Sequence, residues 1–117
     1  MKINEIAEIL NAKILTDFSN ENTDIEYGFA SDLMSDVLAY ANSESLLITG
    51  LNNSQVIRTA EMMDMSTVLF VRGKKPSKET LDLAAENSVT VLATNYTMFS
   101  TCGFLTLKGM KGIESDD

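Results

Sequence analysis

Three short apolar segments, each followed by a turn and a helical pattern, constrain the fold more than any other feature of the sequence. They begin near Leu46, Val68 and Val89, about 21–22 residues apart, which is the length of one strand-plus-helix unit. Apolar runs of this kind are typical of strands that are covered on both faces. We therefore expect right-handed βαβ units in an α/β protein: a small three-layer sandwich with a mainly parallel central sheet.

The first of these units contains the best candidate for a ligand-facing turn. Residues 45–49 are predicted to form the strand, and Gly50 allows a sharp turn after it. Asn52, Asn53 and Ser54 then offer side-chain oxygens to the free N–H groups of the next helix. Two interpretations stay open for this turn: simple helix capping, or a site for a nucleotide-like or other anionic ligand at the helix N-terminus.

The carboxyl ends of parallel strands lie at one edge of a sheet, where folds of this type bind ligands. We expect residues 49–54, 72–73 and 94–95 to converge at this edge. Arg72 and Lys74 would bring positive charge to it in an otherwise acidic protein. The candidate ligand-binding residues are Gly28, Ser31, Asp32, Thr49, Gly50, Asn52, Asn53, Ser54, Arg72 and Thr94.

Polar residues before apolar helical patterns predict where the helices begin. Asn4 is expected to cap a first helix, Asp32 a helix over residues 33–41, and Ser77 a later one. Thr94 or Asn95 is expected to cap the last helix, which runs through residue 102.

Two more strands are expected, over residues 13–16 and 25–29, and Gly28 in the second indicates a bulge or a close backbone approach. Residues 17–24 are expected to form a surface loop. Residues 104–107 are compatible with helix or strand. We expect a single domain over residues 1–108, followed by an acidic, flexible tail over residues 109–117.

Composition excludes several classes of function. The net charge of −8 disfavours binding to nucleic acid and to anionic membranes. No apolar run approaches the roughly 18–20 residues that cross a bilayer, and Lys2 is not followed by the apolar segment of a signal peptide. The single cysteine, Cys102, fits a reducing cytoplasm. The chain has no histidine, which removes the commonest general base and metal ligand. We expect no catalytic centre, metal site or cofactor.

Other candidate sites have a plainer interpretation. Asp32 and Asp36 lie one helical turn apart, which fits a metal or acid–base pair, but a cap and a solvated helix face are favoured. The basic segment 71–76 lacks the G-x-x-x-x-G-K-[ST] pattern of a phosphate loop and is interpreted as a solvated turn. Cys102 is expected to be a buried or half-buried thiol.

Met62, Met63 and Met65 form a methionine cluster at the end of the central helix. Methionine fills irregular gaps in cores and also adapts to partners at interfaces. Core packing is favoured, and a dimer or partner surface that includes Tyr40 and Phe104 stays open.

The block Ser-Asp-Leu-Met-Ser-Asp-Val at residues 31–37, with the Ile-Ala-Glu-Ile-Leu opening at residues 6–10, resembles the DRTGG domain. The second glycine of the naming signature corresponds to Gly28, while Tyr27 and Glu26 replace its first glycine and threonine. The resemblance implies a fold similar to the N-terminal domain of HPr kinase. It also implies a regulatory or ligand-sensing role, often as a homodimer, because such domains occur alone, beside CBS domains or in some phosphotransacetylases.

Residues and resemblance together favour a non-catalytic, cytoplasmic regulatory module that binds a small anionic metabolite or a partner protein, and that forms a homodimer. Two alternatives stay open. The first is a homodimeric accessory or scaffold subunit of a larger redox or metabolic assembly, without a small-molecule ligand. The second is an enzyme that uses carboxylates such as Asp32 without histidine.

Overall fold

The computed structural model describes residues 1–19 and 22–114, and within these residues one six-stranded sheet is flanked by five helices. In chain order the elements are α1 (Ile3–Leu10), β1 (Lys13–Ile14), β2 (Tyr27–Ala30), α2 (Met34–Tyr40), β3 (Ser45–Thr49), α3 (Ser54–Met62), β4 (Thr67–Phe70), α4 (Lys78–Glu86), β5 (Thr90–Ala93), α5 (Met98–Leu107) and β6 (Lys111–Gly112). None of the described helices is long and apolar enough to span a membrane.

The predicted parallel sheet is confirmed. Its strand order is β1-β5-β4-β3-β2-β6, and each neighbouring pair is parallel except β1, which runs antiparallel to β5 at one edge. Leu47 of β3 pairs with Val68 of β4, which pairs with Val91 of β5. Every residue of β3 and β4 is buried, as expected for strands that are covered on both faces.

Alternating side chains of the strands build two cores, one on each face of the sheet. Leu47 and Val68 face the core that is covered by α2, α3 and α4. Leu46 and Leu69 face the opposite core, which is covered by α1 and α5. Burial of each large apolar side chain contributes about 1.5–3 kcal/mol, so these cores hold the short helices on the sheet. The three-layer α/β sandwich is therefore confirmed.

Only some helix starts agree with the predictions. Ser77 caps α4, since its hydroxyl accepts the backbone N–H of Thr80 at 3.2 Å. The caps predicted at Asn4 and Asp32 are wrong: α1 begins at Ile3, so Asn4 lies inside it, and Leu33 precedes the first residue of α2. Asp32 does not cap α2 because its carboxylate accepts hydrogen bonds from Thr49 and Gly50 instead.

The cap predicted at Thr94 or Asn95 is also wrong, because α5 begins only at Met98 and Thr97 occupies the capping position. The Thr94 hydroxyl instead donates to the carbonyl of Leu10 at 2.8 Å and so joins the end of β5 to the end of α1.

The C-terminal region differs from the expected tail. Residues 104–107 are the last residues of α5. After them, Met110 is buried in the core beneath α1 and α5, and β6 extends the sheet beside β2. Residues 110–112 therefore belong to the fold, whereas residues 115–117 lie outside the described part of the chain. Strand β1, predicted over residues 13–16, spans Lys13–Ile14 alone.

Candidate functional site

The turns that follow β3, β4 and β5 meet at the carboxyl edge of the sheet, which we call the rim. The N–H of Val71 donates to the carbonyl of Thr49 at 3.0 Å, and the N–H of Arg72 donates to that of Tyr96 at 2.8 Å. The N–H of Gly73 donates to the carbonyl of Thr94 at 2.9 Å. These bonds bring the three turns together into one continuous surface.

Asp32 is held at the rim by donors at and just after the end of β3. Its Oδ1 atom accepts the Thr49 hydroxyl at 2.9 Å and the backbone N–H of Gly50 at 2.7 Å. Thr49 is itself fixed, because its Oγ1 accepts the N–H of Leu51 at 3.2 Å. An exposed carboxylate is thus oriented by charge-assisted hydrogen bonds, which are stronger than bonds between neutral groups.

Because Gly50 has no side chain, the oppositely charged side chains of Arg72 and Asp32 both lie close to its backbone. A Cβ atom at this position would lie 3.1 Å from Nη2 of Arg72 and 3.5 Å from both carboxylate oxygens of Asp32. In the described part of the chain, the ion pairs are those of the Met1 amino group with Asp24 and of Lys78 with Asp82. Asp32 and Arg72 are therefore neighbours without a direct ion pair.

The backbone at Arg72 is in the left-handed region, with φ of 59°, and Gly73 follows with φ of 68°. A non-glycine residue in this region is strained and is held there by its surroundings. Here the hydrogen bonds of both N–H groups to the turn after β5 supply that restraint.

The asparagines of the first turn do not cap α3 with their side chains. Asn53 occupies the capping position without a side-chain hydrogen bond, and the side-chain amide of Asn52 donates to the carbonyl of Lys75 at 3.0 Å. The simple capping interpretation is therefore wrong, since Asn52 instead ties the first turn to the second. Ser54, the first residue of α3, lines a groove between α3 and α4 beside Arg58.

Three candidate residues have side chains that are engaged within the fold or, in the case of glycine, are absent. Gly28 lies in the interior of β2, paired with Leu46. The Ser31 hydroxyl accepts the N–H of Leu33 at 3.0 Å, so it fixes the loop before α2. Thr94 is buried, and its hydroxyl is already engaged with Leu10.

Sequence reasoning missed a second part of the rim. A cavity of about 160 Å³ lies beside β1 and β5 and is lined by Asn11, Lys13, Leu15, Gly73, Lys75, Ala93 and Asn95. Lys13 reaches it because β1 pairs with β5, so that Lys13 lies opposite Ala93. The local sequence around Lys13 gives no sign of this pairing. The sequence carries one signal of this site, the Lys74–Lys75 doublet of segment 71–76, but a basic turn of this kind is equally compatible with a solvated surface.

A further cavity, apolar and also about 160 Å³, lies under α5 and is lined in part by Ile48, Cys102 and Leu105. Burial raises the pKa of the Cys102 thiol, as expected for a half-buried cysteine. Within the described residues, no group of three or more histidine, cysteine or acidic side chains is arranged to hold a metal ion.

Comparison with known proteins identifies the family. The family model for the DRTGG domain matches residues 5–107 of the chain. The chain belongs to the DRTGG domain family. A comparison with curated proteins gave no match.

Among solved structures, this DRTGG domain is similar to the CBS and DRTGG domains of the regulatory region of Clostridium perfringens pyrophosphatase, complexed with its activator, diadenosine tetraphosphate. The TM-score is 0.77 at 17% identity, over 99% of this chain and 51% of the other. The chain thus spans about half the length of that protein, and at this identity the likeness shows the fold.

The glycine that corresponds to the DRTGG signature has a packing role here. A Cβ atom on Gly28 would lie 3.1 Å from Sδ of Met110 and 3.6 Å from Cδ1 of Ile48. The group that approaches Gly28 is thus the side chain of Met110, and not a second backbone segment, and it packs directly against the sheet. The continuous pairing of β2 with β3 shows no bulge at this glycine.

Proposed function

We propose that this DRTGG domain is a non-catalytic regulatory module that binds a small anionic ligand, nucleotide-like or otherwise phosphate-bearing, at the rim. The observation that carries the proposal is the guanidinium of Arg72, held beside Gly50 and Asp32 without an ion-pair partner among the described residues. An arginine at this position offers several N–H donors in a planar fork that matches phosphate and carboxylate groups.

Asp32 complements Arg72 in the proposed site. Its carboxylate repels an anion directly, but it accepts hydrogen bonds from hydroxyl or amino groups, which nucleosides and sugar phosphates carry beside their phosphates. The Thr49 hydroxyl and the Gly50 N–H already fix its orientation, so a ligand would lose little entropy in ordering it. The structural neighbour, a regulatory region complexed with a nucleotide activator, supports a ligand of this class.

The test is isothermal titration of the chain with AMP, ATP and diadenosine tetraphosphate, repeated with Arg72→Gln. Loss of a charge-assisted hydrogen bond costs about 1.5–3 kcal/mol, so we expect about 10–100-fold weaker binding. Arg58→Gln is the matched control, because Arg58 is exposed on α3 and lines the groove toward α4. Equal losses in both variants, or no heat with the unmodified chain, would contradict the proposal.

A second candidate function is that of a homodimeric accessory subunit, and the outer face of α5 favours it. Phe99 and Leu107 are 89% and 84% exposed, and Phe104 is 40% exposed. The helix contains no charged residue from Met98 to Leu107, so two copies would meet there without charge repulsion despite the net charge of −8. Large exposed apolar surfaces of this kind mark interaction sites.

The methionine cluster is divided between core and surface. Met65 is 2% exposed and packs with Val68 in the core, whereas Met62 is 66% exposed on α3, which lies on the other face of the sheet from α5. Light scattering therefore tests α5 with Phe99→Glu and uses Met62→Glu as the control. Dissociation of a dimer by the first substitution alone supports the α5 interface, and a monomer at high concentration in the unmodified chain overturns it.

A further inference from the structure

We infer that the cavity between β1 and the turn at residues 72–75 is a subsite for a phosphate group. This inference rests on the proposed function, since it assigns the charged end of the proposed ligand to a place in the structure. Two lysines, Lys13 and Lys75, line the cavity together with Asn11, Asn95 and Gly73.

The charge of the cavity is unusual for this chain. The sequence has 17 acidic and 9 basic residues, yet both charged side chains that line the cavity are lysines. In the described part of the chain, the cations that form ion pairs are the Met1 amino group and Lys78. Lys13 and Lys75 therefore have no carboxylate partner among these residues. Two unpaired ammonium groups at one cavity attract a multiply charged anion and repel other cations.

The neutral side chains add hydrogen-bonding groups at the same place. Asn11 and Asn95 line the cavity, and among the described residues their side-chain amides have no hydrogen-bond partner. An amide side chain supplies two N–H donors, which suit the oxygens of a phosphate. Asn11 is the C-terminal cap of α1 in a left-handed conformation, with φ of 47°, so the end of that helix fixes its backbone.

Gly73 has no side chain, so the backbone at this position borders the cavity directly. Its φ is 68°, and a Cβ atom would lie 3.0 Å from Oδ1 of Asn95. Any larger residue would therefore push against Asn95 and into the space that a ligand would occupy. A glycine at such a position is typical of sites where a ligand approaches the main chain closely.

The size of the cavity limits what it can hold. Pockets for whole small molecules have volumes of about 300–1,000 Å³. The volume here, about 160 Å³, suits one compact group and not an entire metabolite. Because Arg72 directly precedes Gly73 in the same turn, the rest of such a ligand would extend along the rim toward Arg72 and Asp32.

The test is a titration of the ¹⁵N-labelled chain with sodium phosphate and, separately, with AMP, at constant ionic strength. We expect saturable shifts of the amide signals of Gly73 and Asn95 with both probes. The double variant Lys13→Gln/Lys75→Gln should bind each probe at least 10-fold more weakly. Its matched control is Lys78→Gln/Lys108→Gln, which removes the same charge from exposed lysines outside the cavity and should bind as the unmodified chain does. Thermal melting establishes that all variants are folded.

The outcomes separate this inference from the proposed function. If AMP binding depends on Arg72 but not on Lys13 and Lys75, the inference is overturned and the proposed function stands. If phosphate binding depends on Lys13 and Lys75 while Arg72→Gln changes nothing, the subsite stands and the Arg72 site fails. Equal weakening by both double variants, or the absence of shifts at residues 73 and 95, overturns the inference as an effect of bulk charge.

Discussion

The carboxylate of Asp32 accepts a hydrogen bond from the Thr49 hydroxyl at 2.9 Å and so joins the loop after β2 to the last residue of β3. The same oxygen accepts the N–H of Gly50 at 2.7 Å. Thr49 and Gly50 are buried, so these donors have few other partners. Asp32 therefore orders the first turn of the rim, in addition to any contact that it makes with a ligand.

Replacement of Asp32 by alanine should destabilise the fold. It removes the acceptor of two donors on buried residues, and we expect a loss of about 1–2 kcal/mol in the free energy of unfolding. Asp36→Ala is the control, because Asp36 lies in the first turn of α2, where a negative charge is worth about 0.3–1 kcal/mol through the helix dipole. Urea titration measures both losses, and an equal cost would contradict the assigned role of Asp32.

Two buried threonines should respond in opposite directions to substitution by valine. Among the described residues, the Thr101 hydroxyl is buried without a hydrogen-bond partner, so Thr101→Val should stabilise the chain by up to about 1 kcal/mol. The Thr94 hydroxyl donates to Leu10, so Thr94→Val should cost about 1–2 kcal/mol. Thermal unfolding compares them directly. A loss of stability in Thr101→Val would mean that its hydroxyl has a partner in solution, such as water.

Two exposed glycines should also differ. Gly73→Ala places a side chain at a φ of 68° and 3.0 Å from Asn95, so we expect a loss of about 1–2 kcal/mol. Gly103 lies inside α5 with nothing within 4 Å of an added Cβ, and Gly103→Ala should gain about 0.5–1 kcal/mol from helix propensity. Chemical denaturation measures both changes. A neutral Gly73→Ala would show that the turn can relax around the new side chain.

The reactivity of Cys102 should depend on pH in a defined direction. Burial raises the pKa of its thiol above the ordinary value of 9.0, so the folded chain keeps the thiol protonated to higher pH than the unfolded chain does. Alkylation by iodoacetamide at pH 8 should therefore be slower in the folded chain than in urea. The free energy of unfolding should change in the same sense. It should fall as the pH rises above 9.0, because the thiol of the unfolded chain loses its proton at a lower pH than the thiol of the folded chain. Equal alkylation rates would contradict the burial of this thiol.

The central strands of the fold were predictable from local sequence patterns. The apolar runs that became β3, β4 and β5 fixed a parallel sheet covered on both faces, because burial of such segments allows few other arrangements. The cap at Ser77 was also predicted correctly, because the two residues that form this capping bond, Ser77 and Thr80, are only three positions apart in the sequence. The prediction that the three turns share one edge of the sheet followed from strand direction alone.

The partners of the polar side chains at the rim depend on how the segments pack in three dimensions. Asp32, Asn52 and Thr94 all fit helix caps by local sequence, yet each bonds to a different segment of the chain. Lys13 and Lys75 come together only because a two-residue strand pairs antiparallel with β5. Local patterns report the periodicity of one segment, whereas these contacts depend on packing between segments that are far apart in sequence. The sheet and its helices could therefore be predicted from the sequence, whereas the hydrogen bonds and charges at the rim could be identified only from the assembled structure.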